Sequence, residues 1–360
     1  MKALVTGANG FLGRHVVAAL VARGHAVRAL VRPAVSVEGL GWPASPVSIE
    51  IVRADLRTAA DLGRAFDGVD VLVHLAAAVT GGEDLQFAST VVGTERLLGA
   101  MAGTGCRRMV LASSFAVYDW SAIRGTLDED SPLEPVPDLY ERDGYTIAKW
   151  WQERVTRRFA AEHGVSLTVL RPGFIWGRDH GYVAALGHQV GRLHVVIGPR
   201  SRCPLTHVEN CADLFAVAAT DPRAAGRTFN VVDGAGERIW PYLGTYLRGV
   251  GERGLRIPIP YRPTLALVRL AYATLFRRNP KLPHILVPAR FESRLKPLRY
   301  TNRRAREVLG WRPPLGFREC VARTYGGVVP AAEVARREPD RATGAREAPG
   351  ESPAPRRGAR

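Results

Sequence analysis

Along the first 170 residues, short continuous apolar runs alternate with stretches whose apolar residues recur at helical spacing. Ala3-Leu4-Val5 is the first run, and Phe11, Leu12, Val16, Val17, Leu20 and Val21 follow at three- to four-residue spacing until Arg23-Gly24. That order predicts strand, turn, helix. Further strands are predicted at 26–31, 48–52, 69–77, 108–113 and 166–170, with helices at 90–101 and 147–163. Continuous runs such as VDVLVHLAA belong to strands buried on both faces of a parallel sheet. The alternation predicts an α/β fold, a Rossmann-type doubly wound parallel sheet that takes its ligand at the strands' carboxyl ends.

Beyond Pro172 the pattern breaks into shorter elements. Residues 1–172 are expected to form the sheet domain, with a late strand at 227–233 returning to it, and 173–326 a smaller, mixed substrate lobe. A turn and helix are predicted at 204–220, and further helices at 242–250 and 264–276. Residues 331–360 carry four prolines and no apolar periodicity, so a disordered tail is expected.

The first turn carries Gly7, Gly10 and Gly13. Gly7 lets the chain turn sharply off the strand. Gly10 removes a side chain where a pyrophosphate must approach the backbone, and Gly13 lets the helix lie tightly on the sheet. The helix N-terminus then offers unpaired amides and its positive dipole end to phosphates.

Charge narrows the partners. Residues 248–323 hold 18 Lys and Arg against 4 Asp and Glu, most of the chain's net +16. Such a region suits nucleic acid, an acidic membrane or an anionic small molecule. No nucleic-acid module accompanies it, so no nucleic-acid partner is expected. The four cysteines are scattered, which indicates neither metal site nor disulfide framework; they read as small buried hydrophobes. The first strand begins at Ala3, leaving no room for a signal peptide, and no apolar run reaches the ~20 residues of a membrane span. The expected location is cytoplasmic, with no transmembrane segment; a homodimer is compatible with the chain.

Candidate chemistry lies at the carboxyl ends of the strands and on the next helix. Tyr145 and Lys149 are four residues apart, so they share a helix face. An ammonium beneath a buried phenol favours loss of its proton. Ser113-Ser114 follow the fifth strand, where a hydroxyl can hold a substrate oxygen beside that phenol.

With these motifs in order, the chain resembles the extended short-chain dehydrogenases/reductases, the NAD-dependent epimerase/dehydratase family. The resemblance runs from about Met1 to Tyr325 on TGANGFLG, ADL, HLAA, VVGTERLL, SSFAVY, YTIAK, RPGFIWG, THVEN and LGWRP. It implies a catalytic set of Ser114, Tyr145 and Lys149. It also implies cofactor contacts from Gly7, Asn9, Gly10, Phe11, Leu12 and Gly13, with Asp55 and Leu56 at the adenine. Ala76 and Ala77 would line the ribose side, Lys149 would hold the nicotinamide ribose, and Pro172 and Gly173 would pass near the nicotinamide. His74 and His207 read as strand and turn residues rather than catalysts. Thr90 stands where the family has an asparagine, Phe115-Ala116 where dehydratases have Asp-Glu, and Cys203-Pro204-Leu205-Thr206 before His207 where epimerases often have Arg-Asp-Tyr. The last form resembles the 3β-hydroxysteroid dehydrogenase and reductase branch.

The implied activity is NAD(P)-dependent interconversion of a secondary alcohol and a ketone on a small hydroxy or keto compound. Two alternatives are a sugar-nucleotide epimerase with tightly bound NAD and a redox-silent cofactor-binding regulator. The second strand ends at Val31-Arg32 without a carboxylate, and Arg32 can pair with a 2′-phosphate, so NADP is expected, with NAD as the alternative. Residues 264–276 are apolar nearly all round, and read as a helix buried in the substrate lobe. The other reading is a flap resting on an acidic membrane, with Arg262, Arg269, Arg277 and Arg278 at the headgroups.

Overall fold

The computed structural model describes residues 1–42, 49–137, 141–178, 180–276 and 286–326; the tail expected at 331–360 lies outside them. The first strand, β1 (Lys2–Thr6), leads through the glycine turn into α1 (Phe11–Ala22). Then come β2 (Ala26–Val31), β3 (Ile49–Arg53) and β4 (Val71–His74). A helical run follows as α2 (Glu83–Phe87), a π turn (Ala88–Val92) and α3 (Gly93–Ala102), before β5 (Arg108–Ala112) and α4 (Gly144–His163). The helical run begins seven residues before the predicted 90–101, because Gly82 starts it with Glu83 and Asp84 in the first turn.

Seven parallel strands form the main sheet, in the order Thr228–Val231, Ser166–Pro172, β5, β4, β1, β2, β3. Strand alternation divides the core in two. Ala3, Val5, Val71, Val73, Val110 and Ala112 face one side, packed by α1 and by α5 (Val208–Thr220). Leu4, Leu72, Met109 and Leu111 face the other, with Leu97, Leu98 and Met101 of α3 and Phe159 and Ala160 of α4. Both faces are covered, which is why the strands read as unbroken apolar runs. All four cysteines are buried and unbonded to one another.

The remaining elements are short. Strands His188–Val190, Leu193–Ile197 and Leu255–Ile259 make a small mixed sheet. Around them lie α6 (Ile239–Gly249), α7 (Tyr261–Ala271) with a π turn (Tyr272–Phe276), and α8 (Pro288–Leu295). The reading of 264–276 as a buried helix is overturned. Val268 is the buried residue of α7, packed with Ile197, Phe291 and Leu295, while Leu267 and Leu270 are 66% and 61% exposed. The helix lies at the surface of this part of the chain, with one side against α8 and Leu267 and Leu270 exposed on the other. No helix among the described residues is long and apolar enough to cross a membrane.

Candidate active site

The glycine turn is built by close approach. Gly7 has φ +66°, and a Cβ there would stand 3.0 Å from the Ala76 amide nitrogen. Gly10 is the N-cap of α1, donates its amide to Gly7 O at 3.0 Å, and would place a Cβ 3.2 Å from that oxygen. The first helical bond here runs from Arg14 N to Gly10 O, so the amides of Phe11, Leu12 and Gly13 precede the ladder, the positions at which a helix N-terminus can bind an anion. These residues fit a dinucleotide pyrophosphate. Asn9 lies in the same turn, and Phe11 stacks on His180 with ring centroids 3.9 Å apart.

Around the turn, Thr6 Oγ1 accepts the amides of Leu75 and Ala76, bringing Ala76 and Ala77 beside the glycines. On the same carboxyl-terminal end of the sheet, Arg32 is exposed just past β2, and Asp55 past β3 is held bidentate by Arg57. The Arg57 hydrogen bonds outweigh burial and hold the Asp55 carboxyl below its usual range, with Arg32 adding to the effect. Leu56 is buried against Gly93. Pro172 ends its strand, and Gly173 is packed so closely that a Cβ would stand 2.2 Å from Pro204 O.

The strand–turn–helix order brings Ser114, Tyr145 and Lys149 together. Asp143 caps α4 by accepting the Thr146 amide at 2.8 Å, so Tyr145 sits in the first turn and Lys149 one turn deeper. Ser114 caps a short 3₁₀ turn (Phe115–Val117); its Oγ accepts the Ala116 amide at 3.1 Å and lies on the Tyr145 side of the turn, where it acts on that phenol. Ser113 points elsewhere, donating to Glu153 Oε2 at 2.5 Å. Burial raises the Tyr145 phenol, and the Ser114 hydroxyl opposes that rise. Lys149 with an oxidised nicotinamide is expected to lower this phenol; in the chain alone burial raises it, and Lys149 is not among the groups that shift it. The Lys149 ammonium is buried, donates to Ala112 O and Gln152 Oε1, both at 2.8 Å, and is brought down to about 7 by burial against the pull of Glu153.

Beneath the site lie two residues that motif reading passed over. Glu153 is buried and receives Arg171 Nη2 at 2.6 Å, Arg171 Nε at 3.1 Å and Arg157 Nε at 2.9 Å. Burial pushes its carboxyl up, but the guanidiniums overcome that and hold it at about 2. Gln152 joins Lys149 to a second polar network on β4 and α3. Both follow Lys149 within one turn of α4, a position whose polar residues must face the sheet. His74 lies within β4, and His207 caps α5.

The family model for the NAD dependent epimerase/dehydratase family matches residues 3–232. This chain belongs to that family. It is an extended short-chain dehydrogenase/reductase. An Arabidopsis thaliana 3β-hydroxysteroid-dehydrogenase/decarboxylase (isoform 1) is 28% identical over 346 residues, covering 89% of this chain and 78% of the relative. A Stigmatella aurantiaca ketoreductase of 4-hydroxy-2-methyl-3-oxo-4-farnesyl-3,4-dihydroquinoline-1-oxide is 32% identical, covering 75% and 79%. Among solved structures, a Thermus thermophilus UDP-glucose 4-epimerase complex with NAD superposes with TM-score 0.64 at 22% identity, covering 91% of this chain and 99% of that one. That likeness is one of fold. A nicotinamide cofactor is common to the family.

Proposed function

We propose that the protein interconverts a secondary alcohol and a ketone on a bulky, apolar hydroxy or keto compound. The observation that carries this is the Ser114–Tyr145 hydroxyl pair one turn above a buried Lys149. The relatives named for a 3β-hydroxysteroid and a farnesylated quinoline oxide support the substrate class. The cofactor, when bound, supplies the hydride acceptor or donor. Tyr145 passes the proton to and from the substrate oxygen. Ser114, whose oxygen already accepts the Ala116 amide, donates its own proton to that oxygen. Lys149 places positive charge beneath the phenol and favours its anionic form.

Tyr145→Phe tests this, with a panel of apolar secondary alcohols and ketones followed at the reduced-nicotinamide absorbance. It removes the transferable proton and keeps the ring. We expect kcat to fall ~10²–10⁴-fold with cofactor affinity unchanged. Wild-type kcat in the Phe variant overturns the assignment. A substrate turned over without net cofactor consumption would instead favour epimerisation.

Two finer readings accompany this one. NADP is the preferred cofactor, supported by Arg32 and by the Arg57 that occupies the Asp55 carboxylate. The exposed face of α7 rests on an anionic membrane surface, supported by its leucines within the strongly basic region 248–323.

A further inference from the structure

Lys149 is held by a polar network that runs from the catalytic helix to the cofactor turn. Gln152 lies one turn along α4, and its Oε1 accepts from Lys149 Nζ at 2.8 Å. Its Nε2 donates to Ala76 O at 3.1 Å and to Thr94 Oγ1 at 3.0 Å. The amide can face only this way, because its NH₂ turned towards the ammonium would set donor against donor. His74 completes the circuit. Thr6 Oγ1 accepts two backbone amides and shares a hydrogen bond with His74 Nδ1 at 2.6 Å. His74 Nε2 lies 2.8 Å from Thr94 Oγ1 and 3.1 Å from Gln152 Nε2, while Thr94 donates to Thr90 O. Burial and the charge of Lys149 bring His74 down to about 3, so the ring is neutral.

Gln152, Lys149, His74 and Thr94 are all buried, so the network is shielded from water. Thr90 has its Oγ1 taken up by the Ala78 amide. With Ala112 O and Gln152 Oε1 occupying two of the three ammonium protons, the third is free to point out of the network. We propose that Gln152 is the positioning residue for Lys149, fixing the direction of its ammonium and coupling it through Ala76 to the cofactor turn. Its catalytic meaning rests on the Ser114, Tyr145 and Lys149 reading, but the contact is tested without that reading.

The test is a direct titration of Lys149. The chain has four lysines, Lys2, Lys149, Lys281 and Lys296, so protein labelled with ¹³Cε-lysine gives four NMR signals, and Lys149→Met assigns the one that matters. The charged and titratable groups acting on Lys149 are Glu153 on its own helix and His74 on β4, with Arg171 acting through Glu153; Tyr145 lies one turn before Lys149 on the same helix. These stay constant while Gln152 is changed. Gln152→Leu removes an acceptor from the charged form, and the Lys149 midpoint should fall by about one pH unit. Gln152→Glu offers a carboxylate in the same place, and the midpoint should rise by at least as much. Shifts of opposite sign support the proposal, because a merely structural role would not reverse with the charge of the partner. If either folded variant titrates at the wild-type midpoint, the proposal is wrong. If Gln152→Leu does not fold, the near-isosteric Gln152→Glu decides alone. No substrate is needed, so a failed Tyr145→Phe experiment leaves this result intact.

Discussion

Gly13 lies against Gly7 so closely that a Cβ on Gly13 would stand 2.0 Å from the Gly7 carbonyl oxygen and 2.8 Å from its carbonyl carbon. Both neighbours are backbone atoms and cannot rotate away, so a methyl group must push α1 off the turn. Gly13→Ala should cost about 1–3 kcal/mol in urea denaturation and weaken cofactor binding at least tenfold. Gly99→Ala is the control. It lies on the exposed side of α3 with nothing within 4 Å, and should gain roughly 0.5–1 kcal/mol from helix propensity. If Gly13→Ala matches the wild type in stability and cofactor affinity, the glycine is not required by packing.

Cofactor choice should follow the charges just past β2 and β3. Arg32 is exposed past β2, while Arg57 is already paired with Asp55. We expect kcat/KM to favour NADP, and Arg32→Ala to erode that preference about tenfold while changing NAD kinetics little. A clear preference for NAD, unaltered in Arg32→Ala, would contradict the assignment.

The sheet was legible because its signals are local. Apolar runs mark β1, β2, β4 and β5, and three glycines mark a turn whose tightness demands them. The pairing of Tyr145 with Lys149 follows from helix periodicity alone. What the sequence withheld depends on partners far along the chain. Glu153 is understandable only once Arg171, on a neighbouring strand, is brought against it, and Gln152 only once β4 and α3 place His74 and Thr94 at its amide. Helix α7 misled for a related reason. Its composition suits burial, but its position at the surface decides which leucines are covered.

The neutral, buried His74 makes stability depend on acid. Its folded value of about 3 lies below the ordinary 6.5 of an unfolded chain, mainly because burial disfavours the imidazolium. The stability it contributes is therefore fully present above pH 6.5 and is lost as pH falls from there towards 3. Unfolding free energy should drop by roughly 1 kcal/mol per pH unit on this account between about pH 6 and 4. His74→Gln keeps hydrogen-bonding groups but does not titrate, so its pH slope should be flatter by about that amount. Equal slopes in urea denaturation series from about pH 7 to pH 4 would show that His74 does not carry the dependence.

Leu267 and Leu270 are exposed on one side of α7, and Leu275 follows in the π turn at 50% exposure. Val268 anchors the opposite side, and Arg269 reaches Glu292 of α8 at 3.4 Å, so the helix is held on the lobe rather than free. Arg262 is exposed at its start, while Arg277 and Arg278 lie outside the described residues. An apolar ridge beside arginines, in a region holding 18 basic against 4 acidic residues, matches an anionic bilayer surface in both hydrophobicity and charge. Each arginine near such a surface contributes about 1 kcal/mol, and that share fades as salt shortens the Debye length. The protein should therefore co-sediment with phosphatidylcholine vesicles containing phosphatidylserine at low salt, and less so at high salt. Replacing Leu267 and Leu270 with glutamate should abolish sedimentation while leaving turnover of a water-soluble ketone unchanged, because both side chains are largely exposed on α7. If the wild-type protein stays in the supernatant at low salt, the exposed ridge does not bind membranes, and the basic lobe must be explained by another anionic partner.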